Sequence, residues 1–238
     1  MNRIVDFHYH IAQCENLPRS RAGCVISRSL AQNRVLAAAP FEVNVGRALH
    51  HGLNDLASAH ILARQLGPHI TVYIHFDVIG CDNLTTLAEQ VPPTHFDRMP
   101  LVLHVSRHDH ERFAAAKARR CLERARELWP NAKLLIAHLG GENFELATEW
   151  IRAEGTKSFL DTSCLDETCQ RSGIRDRAAL LAILSKKVSA AQIVYGSDDT
   201  IGTGPCNPLD ANIWRESFGT AGAERILAGN ASAFLADS

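Results

Sequence analysis

Short apolar runs recur through this 238-residue chain, and one after another they end on an imidazole or a carboxylate. The first is Arg3-Ile4-Val5-Asp6-Phe7-His8-Tyr9-His10. Side chains alternate faces along a strand, so His8 and His10 share one face, with Asp6 two residues below His8. Ile70 to Val78 reads as a strong strand carrying His75 and Asp77. Leu101-Val102-Leu103-His104-Val105 brings His104 to its end, and Lys133 to His138 closes on His138 ahead of Gly140-Gly141. Ser158-Phe159-Leu160-Asp161 finishes on Asp161, and Ile193-Val194-Tyr195-Gly196-Ser197-Asp198 on Asp198. Histidines scattered through a core would not fall in this pattern.

Helical periodicities lie between the runs. They are expected at 54–66, where Gly67-Pro68 stops the helix, and at 82–90, 110–128, 142–153, 175–187, 209–217 and 222–236. Strands alternating with helices predict βα units around a parallel sheet. The segment 24–40 holds two apolar runs too close together for a helix of normal length, and 40–52 reads as a loop carrying Arg47, His50 and His51. Seven or eight strands result, a count that suits both a (β/α)8 barrel and an open doubly wound sheet. No glycine-rich nucleotide-binding motif follows any strand, which removes the main signatures of the nucleotide-binding open sheets. In a parallel barrel the C-terminal strand ends share one face, where active sites are built. Nitrogen and oxygen donors gathered there without thiolate suit Zn2+, Mn2+ or Fe2+, with Zn2+ the first choice.

Composition excludes other classes. A formal net charge of −1 provides no electrostatic case for nucleic acid or an anionic membrane. No apolar run approaches the ~20 residues of a membrane helix, and Asp6, His8 and His10 interrupt any leader-like apolar stretch. The seven cysteines are odd in number and form no C-x-x-C, so reduced thiols and a cytoplasmic location are expected. Without repeats, low-complexity tracts or a linker-like shift in composition, residues 1–238 are expected to form one domain.

The ordered set Asp-Phe-His-Tyr-His, Leu-Val-Leu-His, Leu-Leu-Ile-Ala-His-Leu-Gly-Gly, Phe-Leu-Asp-Thr-Ser and Val-Tyr-Gly-Ser-Asp resembles the amidohydrolase superfamily of metal-dependent hydrolases. Its nearest branch is the amidohydrolase-related group that includes aminocarboxymuconate semialdehyde decarboxylase. The resemblance is carried by 1–11 and 98–238, where Arg-Ile-Leu-Ala-Gly-Asn-Ala-Ser-Ala-Phe-Leu is similar to the superfamily's last helix. It implies a distorted TIM barrel, here with an irregular or abbreviated second or third βα unit. By the same resemblance His8, His10 and His104 match metal ligands. Asp198 matches a carboxylate that touches the metal and relays a proton. His138 matches a histidine that contacts substrate or acts as acid and base beside the metal. Binuclear members bridge two metals with a lysine or glutamate from a central strand. None of Lys117, Lys133, Lys157, Lys186 and Lys187 ends a strand, so one metal is expected.

Among the remaining residues, Arg107 is a candidate for binding a substrate carboxylate. His75 is a second substrate-side candidate, with a buried, hydrogen-bonded histidine and a metal ligand as its competing readings. Asp6 and Asp161 are expected to orient ligands rather than bind metal. A divalent metal lowers the pKa of its water and polarises a carbonyl. Hydrolysis of a small ester, lactone or amide is therefore the expected reaction, with non-oxidative decarboxylation of a small carboxylic acid as the alternative. A non-catalytic metal- or ligand-binding barrel is the rival from another class. The expected partner is a small-molecule substrate, with self-association into a homo-oligomer open.

Overall fold

The computed structural model describes residues 9–11, 25–27, 47–50, 70–90, 101–107, 113–196, 199–201, 211–231 and 234. Among them, nine strands form one sheet: β1 (Tyr9–Ile11), β2 (Val25–Ser27), β3 (Arg47–His50), β4 (Ile70–His75), β5 (Leu101–His104), β6 (Leu134–Ile136), β7 (Ser158–Asp161), β8 (Ile193–Val194) and β9 (Asp199–Ile201). Their order is β8-β7-β6-β5-β4-β3-β2-β1-β9, and neighbouring strands pair in parallel.

The two ends of that order are consecutive in the chain. From Val194 to Asp199 is five Cα steps, a reach of at most about 19 Å. A flat sheet of nine strands would span about 38 Å. The sheet therefore curls on itself, with β8 and β9 as the two halves of the eighth barrel strand. The fold is a distorted TIM barrel, and its last strand is split where a single strand over 193–198 was expected.

Helices follow the later strands: α1 (Phe76–Ile79), α2 (Asn83–Gln90), α3 (Ala115–Leu128), α4 (Phe144–Glu154), α5 (Leu165–Ser172), α6 (Arg177–Lys187) and α7 (Ala211–Glu224). In α3 the buried residues are Ala118, Cys121, Leu122 and Ala125, the i, i+3, i+4, i+7 stripe of a helix lying on a sheet. Arg126 ends that helix by donating to the carbonyls of Trp129, Pro130 and Ala132, groups that have no partner inside the helix. Among the described residues, no helix is long and apolar enough to cross a membrane.

Strand alternation sorts the core into two clusters. Leu101, Leu103, Leu134, Ile136, Leu160 and Ile193 pack with helix residues in the larger one. Val102, Leu135, Ala137 and Val194 pack in the smaller one with Ala231 and Phe234, against which Phe159 lies edge-on at 4.9 Å. The second set is the interior of the barrel, and Phe234 plugs it. Two residues further along the same inward register stand His104 in β5 and Asp161 in β7, both buried.

Three further expectations need correction. Arg47 and His50 lie in strand β3, not in a loop spanning 40–52, because the parallel register with β2 and β4 continues through them. The strand expected over 70–78 stops at His75, where the backbone turns into α1 and Gly80 caps that turn with φ +74°. The alternating apolar residues Phe76 and Val78 hid the boundary, since periodicity alone does not mark a strand's end. Helix α5 was not expected. It enters through Cys164, which is left-handed at φ 55°, and ends on Gly173. The apolar runs at 35–39, the helix at 54–66 and the loop histidine His51 lie outside the described residues.

Arg177 grips both carboxylate oxygens of Asp166, joining the start of α6 to the start of α5. This hydrogen bonding holds the Asp166 carboxyl below its ordinary range. A lowered folded-state pKa stabilises above the unfolded value, ~3.9, and the stabilisation fades as pH falls through the lowered value. Asp166 is exposed and Arg177 half-buried, so solvent screens the pair and the effect is modest. The melting temperature of wild type is expected to fall more steeply from pH 6 to pH 3 than that of Asp166→Asn. Parallel curves would contradict it.

Candidate metal centre

His75 and His104 are Cα partners at the C-terminal ends of neighbouring strands. Inward alternation brings their rings to 4.3 Å between centroids, tilted by 34°. The turn that ends β4 carries Asp77 back over the strand end. Its Oδ1 lies 3.6 Å from Nδ1 of His75 and 4.0 Å from Nδ1 of His104. Both imidazoles are 6% exposed, so the cluster is buried yet polar. Two ligands held at about 2.1 Å from one ion stand no more than about 4.2 Å apart, and both separations meet that limit. One ligand atom from each of the three residues can be chosen so that all lie within 4.8 Å. Two imidazole nitrogens and a carboxylate oxygen form a borderline-hard donor set that fits a divalent ion of the Zn2+, Mn2+ or Fe2+ kind. Ser106 Oγ lies 3.2 Å from Nε2 of His104. With that nitrogen protonated and donating to the hydroxyl, Nδ1 keeps the lone pair a metal requires. Cys121 is not among these donors: it lies on the buried face of α3, where burial and the neighbouring Cys81 push its thiol up to about 12.

His138 joins the cluster from β6, its ring edge-on to His104 at 5.0 Å. It sits on a turn that few sequences adopt. His138, Leu139 and Gly140 are successively left-handed, at φ 55°, 52° and 85°, and Gly141 follows at φ 56°. Non-glycine residues rarely take this conformation, and such outliers concentrate at functional sites. The turn is held from below and beside. Thr168 donates to the His138 carbonyl at 2.8 Å, and the His138 N–H reaches Asp161 Oδ1 at 3.5 Å. Ser163 Oγ lies 2.7 Å from Nδ1 of His138 and donates to Asp161 Oδ1. The next two residues brace the segment after β5. Glu142 accepts from the backbone N–H of Arg107 at 2.8 Å, and Asn143 donates to the carbonyls of Val105 and Phe113.

The structure thus brings together His75, His104, His138 and Asp161 of the residues expected from sequence. Arg107 lies three residues past His104, its backbone fixed by Glu142 and, at its carbonyl, by Arg171 at 2.9 Å. His10 is in β1, paired with Ile26 and Thr200. Asp6, His8 and Asp198 lie outside the described residues, but their neighbours Tyr9 and Asp199 are Cα partners. Sequence reasoning placed Asp77 on the strand with His75 but gave it no role in the site, and it missed Ser106 and Ser163. The signal for Ser163 was present in Asp161-Thr162-Ser163, a hydroxyl two residues past a strand-end carboxylate.

Fold and cluster together define a class: a distorted (β/α)8 barrel with imidazoles and carboxylates gathered at its C-terminal strand ends. Solved structures share that barrel across nearly the whole chain. A probable 2-pyrone-4,6-dicarboxylic acid hydrolase from Acinetobacter baumannii, with citric acid bound, matches with a TM-score of 0.65 at 11% identity, covering 99% of this chain and 100% of that one. A putative 2-pyrone-4,6-dicarboxylic acid hydrolase from Pseudomonas putida matches with a TM-score of 0.60 at 11% identity, covering 100% and 99%. Dihydroorotase from Campylobacter jejuni matches with a TM-score of 0.55 at 13% identity, covering 97% and 82%. At these identities the likeness is one of fold, and it extends over the barrel that the strand-end motifs led us to expect. No protein-family model matches the chain, and no curated protein matches it.

Proposed function

We propose that the chain is a metal-dependent hydrolase of a small ester, lactone or amide. The observation that carries this reading is the buried His75–Asp77–His104 cluster with His138 beside it, set on the barrel face where such enzymes act. The structural neighbours include proteins described as hydrolases of a pyrone dicarboxylic acid, which is a lactone. That favours a lactone bearing carboxylates, with Arg107 as their partner.

His75, Asp77 and His104 would hold the ion, Zn2+ first and Mn2+ or Fe2+ after it. His8, His10 and Asp198 are kept in the ligand set on the resemblance and on the pairing of β1 with β9. When bound, the ion supplies Lewis acidity and makes water a nucleophile near neutral pH. Asp198 takes the proton of the attacking water, and His138 receives it and passes it to the leaving group. Asp161 and Asp6 orient the imidazoles.

The test is metal analysis of wild type, His8→Ala and Asp198→Ala, with a panel of lactones, esters, cyclic amides and aromatic carboxylic acids. About one equivalent of metal in wild type, less in both variants and turnover of a lactone are expected. Equal metal in all three would remove His8 and Asp198 from the site. Release of CO2 without hydrolysis would replace the hydrolase by a decarboxylase, and bound metal with no turnover would leave a binding barrel.

A further inference from the structure

Ser163 stands between two groups of the site and belongs to neither reading of its ligands. It is fully buried, so no substrate reaches its hydroxyl as it would a nucleophile's. Its oxygen lies 2.7 Å from Nδ1 of His138, and its proton goes to Asp161 Oδ1. The same carboxylate oxygen accepts the Ser163 backbone N–H at 2.7 Å, which locks the serine in place. A hydroxyl has one proton. With that proton spent on Asp161, the oxygen only accepts on its other side, and the atom facing it must be an N–H.

We propose that Ser163 is a positioning residue: relaying the hydrogen bond of Asp161, it holds His138 as the Nδ1–H tautomer and leaves Nε2 as the basic nitrogen. The proposal rests on His138 as the acid–base group of the hydrolase reading. It names the side chain that decides which nitrogen does that work. Asp161 Oδ1 is bonded to both the hydroxyl and the backbone N–H of Ser163 and accepts the His138 backbone N–H as well.

The decisive measurement is a long-range 1H–15N correlation spectrum of the full chain at neutral pH, with His138 assigned by its loss in His138→Gln. Wild type is expected to show Nδ1 protonated and Nε2 unprotonated. Ser163→Ala should shift His138 toward the other tautomer, and Ser163→Thr should restore it. A wild-type Nε2–H form, or spectra indifferent to Ser163→Ala, would overturn the proposal. If the alanine variant does not fold, the wild-type spectrum still decides. On any substrate wild type turns over, kcat of Ser163→Ala should fall about 10- to 100-fold with KM little changed. Spectra as expected without turnover in wild type would reject the hydrolase and keep the relay. Turnover with the wrong tautomer would do the reverse.

Discussion

His104→Ala is expected to lose its metal and, with it, all measurable hydrolysis. His104 is the one residue common to the cluster seen in the structure and to the ligand set drawn from the resemblance. Its ring touches both His75 and His138, and its Nε2 is paired with Ser106. Changing a residue behind a ligand costs ~10–100-fold in metal affinity. Losing the ligand itself should therefore cost on the order of 100-fold or more. Isothermal titration with Zn2+ gives the affinity, and a thermal melt of the metal-free variant checks that the barrel still folds. Ser106→Ala should weaken binding by about tenfold. Asp77→Asn belongs in the same series. Strong loss there with little in His8→Ala would confine the ion to the ends of β4 and β5, and the opposite pattern would move it toward β1. Full metal content in folded His104→Ala would remove the centre described above.

The second large effect is structural. Gly141→Ala is expected to destabilise the protein by about 2–5 kcal/mol. A left-handed conformation costs ~1–2 kcal/mol without glycine, and overpacking a filled site costs ~1–3 more. Both apply at Gly141, where φ is +56° and an added Cβ would stand 2.6 Å from Cβ of Ser106. For a chain of this size the loss corresponds to a melting temperature lower by roughly 5–15 °C. Gly155→Ala is the control. It has φ +63° but nothing within 4 Å of the added atom, so only the conformational cost, ~1–2 kcal/mol, applies. Equal losses in the two variants would show that the contact with Ser106 contributes nothing. Because Ser106 is the partner of His104 Nε2, Gly141→Ala should also weaken metal binding, and Gly155→Ala should not.

The two sites differ in how far the sequence announces them. Strand β5 and strand β7 were legible to within a residue, because each is a short apolar run whose end is marked by a polar residue. Helix α2 was legible for the complementary reason, a 3.6-residue period between breakers. Once the strands are placed, period two puts His104 and Asp161 inward at the same end, so half of the cluster follows from pattern alone. The rest depends on backbone turns that carry no mark. His138 and Leu139 adopt left-handed angles that their residue types do not announce, and only the following Gly140-Gly141 hints at them. Asp77 was hidden by a strand-to-helix change inside an unbroken apolar alternation. Strand β3 was hidden by its histidine and arginine, which look like loop residues until the ladders on either side of them are seen.

The seam between β1 and β9 bears on how the molecule is made. Tyr9 pairs with Asp199, residues 190 apart in sequence, while the other ladders join neighbouring βα units. Contacts so distant in sequence form late and slow folding. On the ribosome, β1 emerges well before β9 and waits for this second partner until about 190 further residues have been synthesised. During that interval it is an exposed parallel edge, open to pairing with other chains. A product ending before residue 199 could still set His75 beside His104, yet it would keep that edge permanently unpaired, and association with other copies is its expected fate.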